Sequence, residues 1–94
     1  MKKIKLNDIE YEIIENINNC FNIDEVQERI QETDYFNNYD YIFGDYSYDK
    51  IRLKGFNDSN SKNVNEINDI KIIDDYKKNY CSYGANTFLL KKVK

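Results

Sequence analysis

Residues 39–56 limit the fold more than any other stretch of the chain. Two runs rich in β-branched and aromatic residues, Tyr39–Ser47 and Lys50–Phe56, flank the turn-like pair Tyr48-Asp49, which is the pattern of a hairpin. If the turn sets Tyr46 opposite Ile51, then Asp45 faces Arg52, Gly44 faces Leu53 and Phe43 faces Lys54. Side chains alternate between the two sides of a strand. One side then carries Ile42, Tyr46, Ile51 and Leu53, with Gly44 and Gly55 leaving room for close approach. This side reads as core. The other side carries Tyr39, Tyr41, Phe43, Asp45, Arg52, Lys54 and Phe56.

The flanking segments supply what such a hairpin needs to bury its apolar side. Residues 9–14 alternate apolar and charged, with Ile9, Tyr11 and Ile13 on one face, as a half-buried strand does. Lys2–Leu6 pairs with it across Asn7-Asp8, residues that tolerate the positive φ of a tight turn. A helix is expected over Asp24–Glu32, with Asn22 as its cap and Glu25 completing a capping box. Its buried stripe is Ile23, Val26 and Ile30, and Tyr35–Asn38 after it reads as loop. Residues 57–68, dense in Asn, Ser and Asp, read as an exposed loop. A second helix follows over Asp69–Cys81, capped by Asn68 or Asp69, with Ile70, Ile73, Tyr76 (or Lys77) and Tyr80 at helical spacing and Gly84 as its stop. Thr87–Val93 closes the chain, and Phe88-Leu89-Leu90 is apolar on both faces, as in an interior strand. The order β-β-α-β-β-α-β specifies one α+β domain over residues 1–94, a mostly antiparallel sheet with two helices. No internal repeat divides it.

Composition narrows the chemistry. The chain has no histidine and two cysteines, Cys20 and Cys81. Neither thiol has the usual activating base, and sixty-one positions separate them, so neither a disulfide framework nor a zinc site is expected. Both read as structural thiols. No catalytic residue, metal or cofactor is assigned. The formal charge of −3 disfavours direct nucleic-acid binding, although it leaves room for a local basic patch. No apolar run is long enough to span a bilayer, and polar Asn7-Asp8 stands where a signal peptide needs its apolar stretch. A cytoplasmic protein without a membrane partner is expected.

The aromatic and basic side of the hairpin is then the one constellation suited to binding. Tyr39, Tyr41, Phe43 and Phe56 beside Asp45, Arg52 and Lys54 would serve a protein or ribonucleoprotein partner. The competing reading is that a helix covers this side and Asp45–Arg52 is a plain cross-strand pair. A rival of another class is a small enzyme or ligand-binding protein using Asp40, Asp45 and Arg52, which requires a concave pocket around them.

The string from Tyr39 to Tyr46, followed by Ile51-Arg52-Leu53-Lys54-Gly55-Phe56, resembles the YutD-like family of small bacterial cytosolic proteins. The tail adds to the resemblance through Tyr80-Cys81-Ser82-Tyr83-Gly84 and Phe88-Leu89-Leu90-Lys91-Lys92-Val93. The similarity runs over residues 9–94. Tyr46 stands where the family often has tryptophan, Asn79 where an acidic residue is common, and Ala85 where some relatives carry a second cysteine. The last departure removes a Cys-x-x-x-Cys partner for Cys81. The resemblance implies an α+β fold in the cytoplasm and supplies no catalytic residue.

Overall fold

The structure is a computed structural model, and it describes residues 2–31, 33–47, 50–80 and 86–93. The elements are β1 (Lys3–Leu6), β2 (Ile9–Asn16), α1 (Ile23–Ile30), β3 (Tyr41–Ser47), β4 (Lys50–Phe56), α2 (Ile73–Tyr80) and β5 (Thr87–Lys92). The five strands form one antiparallel sheet in the order β1-β2-β5-β3-β4. This is the α+β arrangement expected from the sequence. Among the described residues no helix is long and apolar enough to cross a membrane.

Local chemistry explains the pieces. Asn7 and Asp8 take positive φ, 50° and 64°, in the two-residue turn between β1 and β2. Asn22 caps α1 by accepting a hydrogen bond from the Glu25 N–H at 3.0 Å. Between β3 and β4 the pairs are Tyr46 with Ile51, Asp45 with Arg52, Gly44 with Leu53 and Phe43 with Lys54, the register read from the sequence. The turn residues Tyr48 and Asp49 lie outside the described residues, as do Glu32, Cys81 and Gly84.

Several boundaries differ from expectation. Tyr35–Asn38 is a 3-10 turn rather than loop. The second helix opens as a 3-10 turn at Ile70–Ile72, where Asp69 accepts from the Lys71 N–H, and becomes α-helical only from Ile73. The strand expected from Tyr39 begins at Tyr41, because the backbone bends at Asp40. The strand expected over 9–14 continues to Asn16 through an irregularity between Ile13 and Glu15, where the register shifts and Ile14 turns to solvent.

The sheet is covered on both faces. On one, α1 places Val26 and Ile30 against Ile4, Leu6, Tyr11, Ile42, Ile51, Phe88 and Leu90. On the other, α2 and the 3-10 turn before it place Ile70, Ile72, Ile73 and Tyr76 against Phe43, Phe56 and Leu89. The first core is the larger. α1 also touches both edges of the sheet. Gln27 exchanges hydrogen bonds with Asn7, donating to its Oδ1 at 2.9 Å and accepting from its backbone N–H at 3.0 Å. Arg29 donates to the Ile51 carbonyl on β4 at 3.2 Å. An eight-residue helix thereby braces the first and last strands of the sheet.

Gly44 shows how tightly β3 and β5 are joined. A Cβ placed there would lie 2.1 Å from Cζ of Phe88, which is fully buried. Gly44→Ala is therefore expected to lower stability by about 1–3 kcal/mol through overpacking. Adding Phe88→Leu should return part of that loss. Urea unfolding of both single variants and the double variant checks this; strictly additive effects would rule out the contact as the cause.

Candidate functional site

The residues singled out in the hairpin divide between the two sides of the sheet. Tyr41, Phe43, Asp45, Arg52, Lys54 and Phe56 share the α2 side, by strand alternation and by the pairs Tyr41–Phe56, Phe43–Lys54 and Asp45–Arg52. Tyr39 does not join them. The bend at Asp40 breaks the alternation, held by the Asp40 N–H donating to Asn57 Oδ1 at 3.2 Å and the Asp58 N–H donating to Asp40 Oδ2 at 2.9 Å. The Tyr39 ring instead lies over Gly55, where a Cβ would meet it at 2.3 Å. Gly55 is opposite Ile42, so Tyr39 belongs to the α1 side.

On the α2 side the aromatic residues are not surface groups. Phe43 and Phe56 are buried beneath α2, so of the two readings of this face the one with a covering helix describes its middle. Its Tyr76 stands edge-on to both rings, at 5.7 Å from Phe43 and 5.5 Å from Phe56, while these two meet at 6.3 Å. Three mutually perpendicular rings give the helix its seat. Cations ring them. Lys54 Nζ lies 5.1 Å from the Phe56 centroid and 5.6 Å from Tyr76, and Lys77 Nζ lies 5.7 Å from Phe43. Lys91 Nζ sits 6.0 Å from the Tyr41 ring.

Asp45 and Arg52 form the most directed contact of the face. The guanidinium donates through Nε to Oδ1 at 3.2 Å and through Nη2 to Oδ2, a bidentate arrangement that fixes its plane. The Asp45 side chain is 4% exposed, whereas that of Arg52 is 52% exposed. A buried carboxylate thus holds a half-exposed arginine in one orientation. Nearby, Glu15 accepts from Lys77 Nζ at 2.6 Å and from the Thr87 hydroxyl at 3.1 Å, tying α2 to β2 and β5. The rival grouping of Asp40, Asp45 and Arg52 is accounted for by these contacts. Asp45 is engaged by Arg52, and Asp40 anchors the start of the 57–68 loop.

A second feature escaped the sequence reading. On the other side of the β4 end, Tyr35, Asn38, Tyr39, Asn57, Asn63, Asn65 and Asn68 line a cleft of about 440 Å³. Its rims are built from local hydrogen bonds. The Tyr39 hydroxyl donates to that of Tyr35 at 2.9 Å, which together with partial burial pushes its phenol above the usual range. Asn57 donates to the Asn63 carbonyl at 3.3 Å, and the Asn65 N–H donates to Asn68 Oδ1 at 2.7 Å. The density of asparagine signals Asx turns; nothing in it signals which side of the sheet the loop will meet.

Residues 5–91 match a family model described as "Putative antitoxin YutD-like". A curated protein of Bacillus subtilis strain 168, described as putative antitoxin YutD, is 34% identical over 91 residues, covering 97% of this chain and 98% of its own. The solution NMR structure of the protein yutD from B. subtilis superposes with a TM-score of 0.79 at 33% identity. That match covers 100% of this chain and 84% of the other.

The loop that builds the cleft is tied down at Asp69 by hydrogen bonds to its carboxylate. Ser59 donates to Asp69 Oδ1 at 2.5 Å, and the Lys71 N–H donates to it at 3.0 Å. These bonds, that from Ser59 foremost, hold the Asp69 carboxyl below its usual range. Because the folded value is the lower one, the stabilisation is present above the ordinary carboxylate range and is lost as pH falls through the folded value. Ser59→Ala should raise the Asp69 titration toward its ordinary value. Carboxyl NMR titration measures this, and an unmoved midpoint would exclude the serine as the cause.

Proposed function

The chain belongs to the YutD-like family, and from that membership we propose that it is a non-catalytic interaction module that binds a protein partner. The description of its B. subtilis relative as a putative antitoxin supports a protein target, since direct binding is one way in which a protein neutralises a toxin. The observation that carries the reading is the Arg52–Asp45 pair. An arginine oriented by a buried carboxylate and half exposed meets a partner with little side-chain entropy left to lose. Lys54 extends the cationic rim, with its ammonium over Phe56 and Tyr76, and Lys91 lies beside Tyr41. Phe43, Phe56 and Tyr76 act from beneath, by fixing where these cations stand. Tyr39 lies apart from this rim, on the side of the cleft.

Lys54→Glu tests the reading without removing the partner of a buried charge, as Arg52→Ala would. The wild-type chain is expected to co-purify a defined protein from its native host, and Lys54→Glu should reduce recovery by about tenfold, a loss of order 1.4 kcal/mol. Arg52→Lys, which keeps the charge and loses the bidentate geometry, should reduce it as well. Equal recovery with all three chains would overturn the assignment of this rim. A complex that depends on RNA and weakens steeply with salt would replace the protein partner by a nucleic acid.

A further inference from the structure

We propose that the backbone edge of β1, at Lys3 and Lys5, receives from the partner a short strand in which acidic and apolar residues alternate; this rests on the reading above that the partner is a protein. β1 is the outermost strand on its side of the sheet, at the far end from β4. An edge strand aims the N–H and C=O of alternate residues away from its neighbour. The contacts identify which residues these are. The Val93 N–H donates to the Glu10 carbonyl at 2.9 Å, so Glu10 and Glu12 turn their backbone toward β5. The Ile13 N–H donates to the Lys2 carbonyl at 2.9 Å, so Ile13, Tyr11 and Ile9 turn theirs toward β1. Their partners Lys2, Ile4 and Leu6 therefore face inward, and Lys3 and Lys5 point outward.

This part of the edge is clear. Lys3 and Lys5 are both exposed. Among the described residues, no hydrogen bond engages the N–H or C=O of either one. The outward row is closed at the turn, where the Asn7 N–H donates to Gln27 Oε1 of α1 at 3.0 Å. Such a window fits a short added strand and is too short for the open-ended pairing that leads to aggregation.

Charge selects the occupant. Ile4 and Leu6 lie in the core on the α1 side, so Lys3 and Lys5 project to the α2 side. There the sign alternates from strand to strand, with Lys3 opposite Glu12, Glu12 opposite Lys91, and Lys5 opposite Glu10. The next strand in this pattern carries carboxylates. Neither Lys3 nor Lys5 forms an ion pair among the described residues, so both ammonium groups are free to meet them. Two copies of this chain paired through β1 would set lysine against lysine, which is destabilising. The lysines thus bar a second copy while favouring an acidic strand. On the α1 side the added strand would lie beside Ile4, at 9% exposed the least covered buried residue of that core. An apolar residue between the two acidic ones would cover it.

The probe is a synthetic peptide alternating glutamate and valine, followed by amide NMR and hydrogen exchange on the full chain. The peptide is expected to shift and protect the Lys3 and Lys5 amides. A lysine-valine peptide, and a glutamate-valine peptide N-methylated at its glutamates, should each bind about tenfold more weakly, having lost charge complementarity and backbone donors respectively. Lys3→Gln combined with Lys5→Gln should weaken the unmodified peptide to a similar degree. Absence of binding, shifts confined to other strands, or equal binding of the N-methylated peptide overturns the proposal. Protection of Lys3 and Lys5 that grows with protein concentration alone overturns it in favour of a second copy. A co-purified partner whose footprint avoids β1 overturns this inference and leaves the wider reading standing. Peptide binding at β1 with no partner captured supports the edge and overturns the wider reading.

Discussion

The insertion of β5 between β2 and β3 is the constraint on which the rest of the molecule depends. The β1–β2 and β3–β4 hairpins are each built from neighbours in sequence, and within the sheet they meet only through β5. Its residues serve both cores at once. Phe88 and Leu90 face α1, and Leu89 faces α2. Gly44 lets the Phe88 ring press onto β3, and Thr87 reaches Glu15 on β2. A strand with apolar side chains on both faces can be satisfied only inside a sheet covered on both sides.

The site inherits this arrangement. With β5 in place, α2 settles on Phe43, Phe56 and Leu89, and its Lys77 reaches Glu15. That converts what would be an open aromatic face into a covered one with cations at its rim. Meanwhile α1 holds the two outer strands through Gln27 and Arg29. The aromatic residues are thus scaffolding, and the charged heads stand around them at the rim.

Much of this was legible in the sequence wherever the information is local. The β3–β4 register follows from alternation and a short turn, the Asn22 cap from a capping-box spacing, and the interior place of β5 from three consecutive apolar residues. What the sequence concealed lies in long-range contacts. Strand alternation cannot foresee the bend at Asp40, which depends on Asn57 seventeen residues away and moves Tyr39 to the opposite side. Nor does amphipathicity say that α2 will cover the aromatic face, a choice fixed partly by the Glu15–Lys77 pair across 62 residues. The cleft combines both difficulties, since its two walls come from separate segments.

The placement of α1 and α2 on opposite faces has a chiral consequence. The connections from β2 to β3 and from β4 to β5 each join parallel strands across one intervening strand. A half-turn about the sheet normal gives the two moves the same sense, so helices on one face would give both crossovers the same hand. Here the helices lie on opposite faces, and the crossovers are of opposite hand. One of them runs against the right-handed preference of such connections. The two halves of the chain are therefore mirror solutions to one covering problem, and no duplication of a single β-α-β unit could have produced both.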